Sequence, residues 1–317
     1  MRFTRTAAKA ANASLLALLL LFLFHRPAAG QEQPTPAGAE ACIECHESEV
    51  AEFSGTKMGK LFLNHPRTAV EEQGCESCHG PSTTHAETGA DERGGLVSFS
   101  KDDPTPIDAR NGMCLACHEE SARLFWKGSP HESRGVACAD CHRVHVASRA
   151  VPEGSQFTMT GAQLKEGNVV GTCAQCHLKQ NAQLLRFSHM PLREGKLDCA
   201  SCHNPHGSPN EKMLKAASVN ETCYMCHTEK RGPFLWEHAP VVENCANCHD
   251  PHGSNHEKML VVPKPRLCQQ CHIETRHPTN PQRSLATGTR FLSERQCLNC
   301  HMNLHGSNHP AGASFTR

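Results

Sequence analysis

Cysteine is the residue that most constrains this chain. All twenty cysteines fall into one pattern, Cys-x-x-Cys-His, used ten times with none left over. The first five copies are Cys42-Cys45-His46, Cys75-Cys78-His79, Cys114-Cys117-His118, Cys138-Cys141-His142 and Cys173-Cys176-His177. The other five are Cys199-Cys202-His203, Cys223-Cys226-His227, Cys245-Cys248-His249, Cys268-Cys271-His272 and Cys297-Cys300-His301. Exported cysteines usually form disulfides, and paired cysteines often bind zinc. Neither chemistry needs a histidine directly after every pair. Covalent c-type haem does. Two thiols bond the two vinyl groups, and the adjacent imidazole is the proximal iron ligand. The pattern therefore predicts ten c-type haems.

Composition agrees. Only 38% of the 317 residues are hydrophobic and 5% aromatic, with Tyr224 the single tyrosine and Trp126 and Trp236 the tryptophans. A chain of this length should bury most of its unfolded surface. These side chains are too few to build the core. Lys plus Arg and Asp plus Glu balance at 32 each, which argues against disorder driven by net charge. The haems are expected to be the core. Their propionates would add negative charge that the sequence does not show. Nothing in the chain points to nucleic acid.

The N-terminus reads as an export signal over 1–30. Arg2, Arg5 and Lys9 are basic, Leu15 to Phe24 is an apolar run, and Ala28 and Gly30 are small residues spaced for cleavage. The run falls well short of the ~20 residues that span a bilayer as a helix. A retained anchor is the alternative. No cysteine suits a lipid anchor at that site, and no later segment reads as a transmembrane helix. Residues 31–40 read as a flexible leader. The expectation is a soluble exported protein, or one held at a membrane by a partner.

Twelve further histidines follow the signal, and ten of them keep register with the motifs. Each even-numbered motif has one histidine upstream and one just downstream. The pairs are His65 and His85, His131 and His145, His189 and His206, His238 and His252, and His277 and His305. These are candidate distal ligands, one for each iron. His256 and His309, both in Gly-Ser-Asn-His, are outside this pattern. The chain thus reads as five dihaem repeats within a decahaem domain 41–317, at about 41–110, 111–170, 171–218, 219–262 and 263–317. His206 follows His203 by only three residues, a reach of at most ~10 Å. It cannot pass round a porphyrin to its own iron. The downstream histidine is therefore expected at the first haem of its repeat, and the upstream one at the second. Met58, in Lys-Met-Gly-Lys, is a second potential axial ligand near His65. Packing is the expected role of Met58.

Gly, Pro and Asn punctuate every repeat, so long helices are not expected. Short helices are predicted at Leu115 to Trp126 and Leu178 to Arg186, with polar connectors at 86–110 and 148–170. The fold class is that of a multihaem cytochrome c: mostly coil with short α-helices wrapped around a file of ten haems, with little or no β structure.

From about Ala41 to the C-terminus the chain resembles the MtrA/DmsE-type decahaem cytochromes. The ten motifs carry the resemblance, with Asn220-Glu221-Thr222-Cys223-Tyr224-Met225-Cys226-His227, Lys230-Arg231-Gly232-Pro233 and Leu235-Trp236-Glu237-His238-Ala239-Pro240-Val241. Leu267-Cys268-Gln269-Gln270-Cys271-His272 and His305-Gly306-Ser307-Asn308-His309-Pro310 add to it. The resemblance implies an elongated haem wire inside an MtrB-type outer-membrane β-barrel porin. Its partners would be periplasmic or inner-membrane donor cytochromes and an extracellular multihaem cytochrome. One departure falls near Met58, where a relative carries a histidine; His65 is the substitute taken here.

Other functions fit less well. A multihaem oxidoreductase needs an iron with an open position. Ten spare histidines matched to ten motifs, each motif ending in His, argue against one. A freely diffusing periplasmic shuttle or store fits the same residues. A purely structural role for ten redox centres has no support in the pattern.

Overall fold

The computed structural model describes residues 35–145, 163–189, 192, 194–272 and 297–316. The export signal, residues 31–34 of the leader, most of connector 148–170 and His277 lie outside the described residues.

One helical turn is the recurring element. In nine motifs the histidine N–H donates to the first cysteine's carbonyl, from His46 to Cys42 at 3.0 Å through His301 to Cys297 at 2.9 Å. The remaining motif ends the helix Ile107–His118. A turn places residues i and i+3 on one face and i+4 beside them. Both thiols and the imidazole of each motif are thereby presented together.

Longer helices are few. Ile107–His118 has 12 residues and Glu47–Ser54 has 8. Leu178–Leu184 forms as the sequence predicts, two residues short of Arg186. The helix expected over Leu115 to Trp126 is corrected. The chain is helical to His118, Glu120 is extended, and Ser121 has φ +58° before a short 3-10 turn, Ser121–Arg123. Among the described residues there is no strand, only isolated bridges.

The chain divides into two compact units. Of the smaller, the described parts are Thr35–Ala37 and Gly80–Leu96. There the helix Thr83–Glu87, which carries His85, is tied to the leader. Thr83 donates its N–H at 3.2 Å and its hydroxyl at 2.6 Å to the carbonyl of Thr35.

The larger unit comprises Gly38–His79 and the chain from Val97 onward. After three even-numbered motifs the chain folds back and bridges its own histidine, pairing His142 with Leu164, His203 with Leu214 and His249 with Leu260. The residue before each leucine has positive φ: Gln163 at 48°, Met213 at 56°, Met259 at 54°. The turn delivers Leu214 and Leu260 to buried positions. A second kind of bridge joins successive repeats, Phe187 to Ser254 and Trp236 to Ser307.

Glycine makes that second docking feasible. Gly207, Gly253 and Gly306 follow His206, His252 and His305, at φ 105°, 124° and 134°. A Cβ on Gly207 would stand 2.0 Å from the carbonyl oxygen of Phe125 in the preceding repeat. On Gly253 it would stand 2.3 Å from the Gln183 carbonyl oxygen, and on Gly306 it would stand 2.1 Å from the Phe234 ring. The third, fourth and fifth repeats thus each lay a bare backbone against the predecessor.

An apolar core is not what holds these pieces. Val97, Trp126, Ala137, Leu214 and Leu260 are the buried apolar residues among those described. Leu185 and Leu235 are 76% and 78% exposed.

Gly207→Ala should therefore combine a clash with backbone strain worth ~1–3 kcal/mol. At ~2–4 °C per kcal/mol, the holoprotein should melt several degrees lower. Gly128 also has positive φ, 80°, but nothing lies within 4 Å of its Cβ position. Gly128→Ala should cost only the left-handed penalty, ~1–2 kcal/mol. Equal melting temperatures for the two variants would count against a close approach at Gly207.

Candidate haem-binding sites

Five thiol pairs recur within the repeats. Cys42 lies beside Cys75, Cys114 beside Cys138, Cys173 beside Cys199, Cys223 beside Cys245 and Cys268 beside Cys297. In each repeat the first cysteines of the two motifs lie side by side. Across repeats the second cysteine of an even motif meets the next odd motif. Cys78 lies near Cys114 and Cys117, Cys141 near Cys176, Cys202 near Cys226, and Cys248 near Cys271. The ten attachment turns therefore form one continuous series in chain order.

Seven histidine pairs complete the geometry. Ring centroids are 5.8 Å apart for His79 and His145, 6.1 Å for His131 and His177, and 6.0 Å for His142 and His206. They are 6.4 Å apart for His189 and His227, 6.2 Å for His203 and His252, 6.1 Å for His238 and His272, and 6.3 Å for His249 and His305. Every pair joins one motif histidine to one flanking histidine. A metal–imidazole bond is about 2 Å, and the ring centre lies about 1 Å further. Two imidazoles on opposite sides of one metal thus stand about 6 Å apart. The donor set fits haem iron.

Comparison with known proteins now adds the family. Residues 75–156 match the model described as cytochrome c-type protein NrfB-like. Residues 189–232 and 238–277 match the doubled CXXCH motif. The Multiheme cytochrome MtrA of Shewanella baltica (strain OS185) is 40% identical over 289 residues, covering 89% of this chain and 82% of that protein. This chain belongs to the MtrA family of multihaem cytochromes. As a member of the MtrA family it binds c-type haems and is an electron-transfer protein rather than an enzyme.

The partner choice in this MtrA-type chain differs from the sequence expectation. The downstream histidine was expected at the first motif of its own repeat. Instead His206 faces His142, the second motif of the preceding repeat, and His252 and His305 do likewise with His203 and His249. The upstream histidine was expected within its repeat. Instead His131, His189 and His238 face the first motif of the following one. Neighbouring repeats exchange histidines in both directions. The reach argument about His203 and His206 excluded the own iron correctly, but it carried no information about docking between repeats.

Backbone carbonyls aim these rings. His131 Nδ1 lies 2.7 Å from the Pro205 carbonyl oxygen and His189 Nδ1 lies 2.9 Å from that of Pro251; His238 is bonded to that of Leu304. Each acceptor directly precedes the downstream histidine of the next repeat. On motif histidines, Nδ1 of His79, His203 and His249 lies 2.8, 2.9 and 2.8 Å from the carbonyls of Val97, Lys212 and Lys258. A ring that donates from Nδ1 keeps Nε2 free for a metal. Burial, the largest cause, makes His145, His206, His252 and His305 harder to protonate, His206 down to about 4. Neutral imidazole is the metal-binding form.

Three other proposed ligand positions are not among these seven pairs. His277 lies outside the described residues. His85 sits on the helix Thr83–Glu87 of the smaller unit. His65 is exposed and makes no ring contact among the described residues, so no motif histidine is seen facing it. His256 is a turn residue. Its N–H donates to Ser254 Oγ at 3.0 Å, as Asn210 does to Ser208 Oγ at 3.2 Å one repeat earlier. His309 caps its own turn through Ala311 N–H to Nδ1 at 3.1 Å.

Two buried asparagines were missed from sequence. Asn111 and Asn220 each lie three residues before an odd motif. Asn111 accepts from Cys138 N–H at 2.8 Å and donates to the Val136 carbonyl at 3.1 Å. Asn220 accepts from Cys245 N–H at 2.7 Å and donates to the carbonyls of Val241 and Val242, both at 2.9 Å. Each clips the even motif of its repeat to the odd one. The shared offset from the cysteine was the available signal. Asn111→Ala and Asn220→Ala strand buried partners, at ~1–3 kcal/mol for each unsatisfied group. Both should lower the melting temperature of the holoprotein. Asn247, exposed and donating once to Pro240 at 3.1 Å, is the control and should tolerate alanine within about 0.5 kcal/mol.

Proposed function

We propose that this chain holds ten covalent haems in series and carries electrons along them across the outer membrane, inside a β-barrel porin of the MtrB type. The observation that supports this reading is the succession of attachment turns in chain order, from Cys42 beside Cys75 to Cys268 beside Cys297. Haem supplies iron that exchanges one electron. The polypeptide supplies six-coordinate sites and keeps neighbouring ones close. The seven facing histidine pairs are the axial ligands of seven irons. His46, His85, His277 and His301 belong to terminal repeats, which have a neighbour on one side only, and we assign them to the ligand set by count.

The site of action follows from chemistry. Crossing a membrane with its headgroups takes ~40–45 Å. No helix among the described residues is long and apolar enough to cross one. A polar polypeptide filled with haem cannot face lipid. A wide barrel with a polar interior solves that problem. The expected location is the periplasm, at the outer membrane through the porin. Donor cytochromes of the periplasm or inner membrane lie on one side and an extracellular multihaem cytochrome on the other.

The direct test is purification of the native protein from outer membranes in mild detergent, with the haem spectrum read on the same sample. A stoichiometric large β-barrel with low-spin haem is the expected result. A lone soluble protein would replace the conduit with a diffusing shuttle. A single substitution tests the ligand exchange. His206→Met should alter only the haem at Cys138-Cys141-His142 and raise its potential, since Met/His ligation favours reduced iron. A change at the haem of His177 instead would contradict the exchange.

A further inference from the structure

The exchange of histidines is incomplete at one boundary. Three upstream histidines, His131, His189 and His238, face the first motif of the next repeat. Register gives His65 the same task toward His118. Yet His65 is exposed and makes no ring contact among the described residues. The carbonyl that register assigns to it receives another donor. By register with Pro205, Pro251 and Leu304 that acceptor is Val144, which precedes His145. It receives Gln163 Nε2 at 3.0 Å.

The backbone around Met58 reproduces the backbone around His131. Ser129 donates its N–H to the Trp126 carbonyl at 2.9 Å. Its Oγ accepts from Glu132 N–H at 3.1 Å, and its carbonyl accepts from Ser133 N–H at 3.0 Å. Thr56 donates its N–H to the Phe53 carbonyl at 2.8 Å. Its Oγ1 accepts from Gly59 N–H at 2.8 Å, and its carbonyl accepts from Lys60 N–H at 3.1 Å. Both hydroxyl residues are 3% exposed. The aromatic partners correspond as well. Phe53 lies 5.5 Å from His145 and Trp126 lies 6.4 Å from His206, each against the downstream histidine of the next repeat. His131 comes two residues after Ser129, and Met58 comes two residues after Thr56.

We propose that Met58 Sδ, not His65, is the sixth ligand of the iron attached at Cys114-Cys117-His118. This rests on the haem-chain reading above. Sequence alone favours packing for Met58, because His65 is the nearer histidine to its motif. The capped turn reverses that choice: it gives the thioether the place that an imidazole holds one repeat later. Thioether is a known axial ligand of c-type iron and raises its potential. The third haem in the series then holds an electron more tightly than its neighbours. It sets a redox step near the N-terminal end of the chain.

The test uses the full chain with its haems, oxidised, as wild type, Met58→His and His65→Ala. Intact mass counts haems first. Fewer than ten would sink the reading this proposal rests on, whatever the spectrum shows. With ten present, wild type should show the weak red charge-transfer band of sulfur-ligated iron, at the amplitude of a single haem. In a redox titration one haem should be reduced ahead of the rest. Met58→His should abolish the band and return that haem to the main wave. His65→Ala should leave both unchanged. Ten haems with no such band in wild type, a band that survives Met58→His, or a high-spin haem created by His65→Ala would each overturn the assignment.

Discussion

An imidazole facing another imidazole at about 6 Å is the contact on which the rest of this structure is arranged. It is made across repeats, not within them. His142 needs His206, and His177 needs His131, so the second and third repeats each supply what the other lacks. Repeat proteins generally bury a shared interface between successive units. Here the interface is a pair of ligand positions pointing in opposite directions. A repeat on its own would keep its attachment turns and lose the histidines that face them.

That arrangement explains a chain with so little apolar interior. Side chains such as Leu178 and Phe187 are 68% and 62% exposed in the polypeptide, yet their backbone is well ordered by hydrogen bonds. The order comes from short polar devices. Gln183 reaches Asp250 at 2.5 Å and the Gly253 carbonyl at 3.2 Å, binding the third repeat to the fourth. Asn204 reaches the Ala122 carbonyl at 2.8 Å, binding the third to the second. Asn308 accepts from Leu235 N–H at 2.7 Å, binding the fifth to the fourth. These contacts set where backbone lies.

Much of this was legible in the sequence, and the illegible part has a physical cause. The motif is a local object. Five residues close one turn, so ten copies read directly as ten presented thiol pairs with their histidines. The flanking histidines also keep register with the motifs, so their existence as a set was visible. Their partners were not. Pairing His206 with His142 spans 64 positions and depends on a glycine that lets Gly207 approach Phe125. Chain reach can exclude a partner, as it did for His203 and His206, but it cannot choose among distant ones. The helix expected through Trp126 failed for a similar reason. The chain turns at Ser121, and Trp126 lies against His206.

The left-handed turns point the same way. Lys212 and Met213, and Lys258 and Met259, each place two successive non-glycine residues at φ between 51° and 58°. Such conformations cost of order 1–3 kcal/mol each unless the surroundings compensate. The compensation is specific. The strained turn aims the carbonyls of Lys212 and Lys258 at Nδ1 of His203 and His249. It also returns the next leucine into a bridge with the same histidine. An imidazole held by Nδ1 from behind presents Nε2 in one direction only, with its tautomer fixed before any metal arrives. Strain in the backbone is thus spent on fixing the direction of a ring. That is the expected economy for a site that must hold its geometry unchanged while an electron comes and goes.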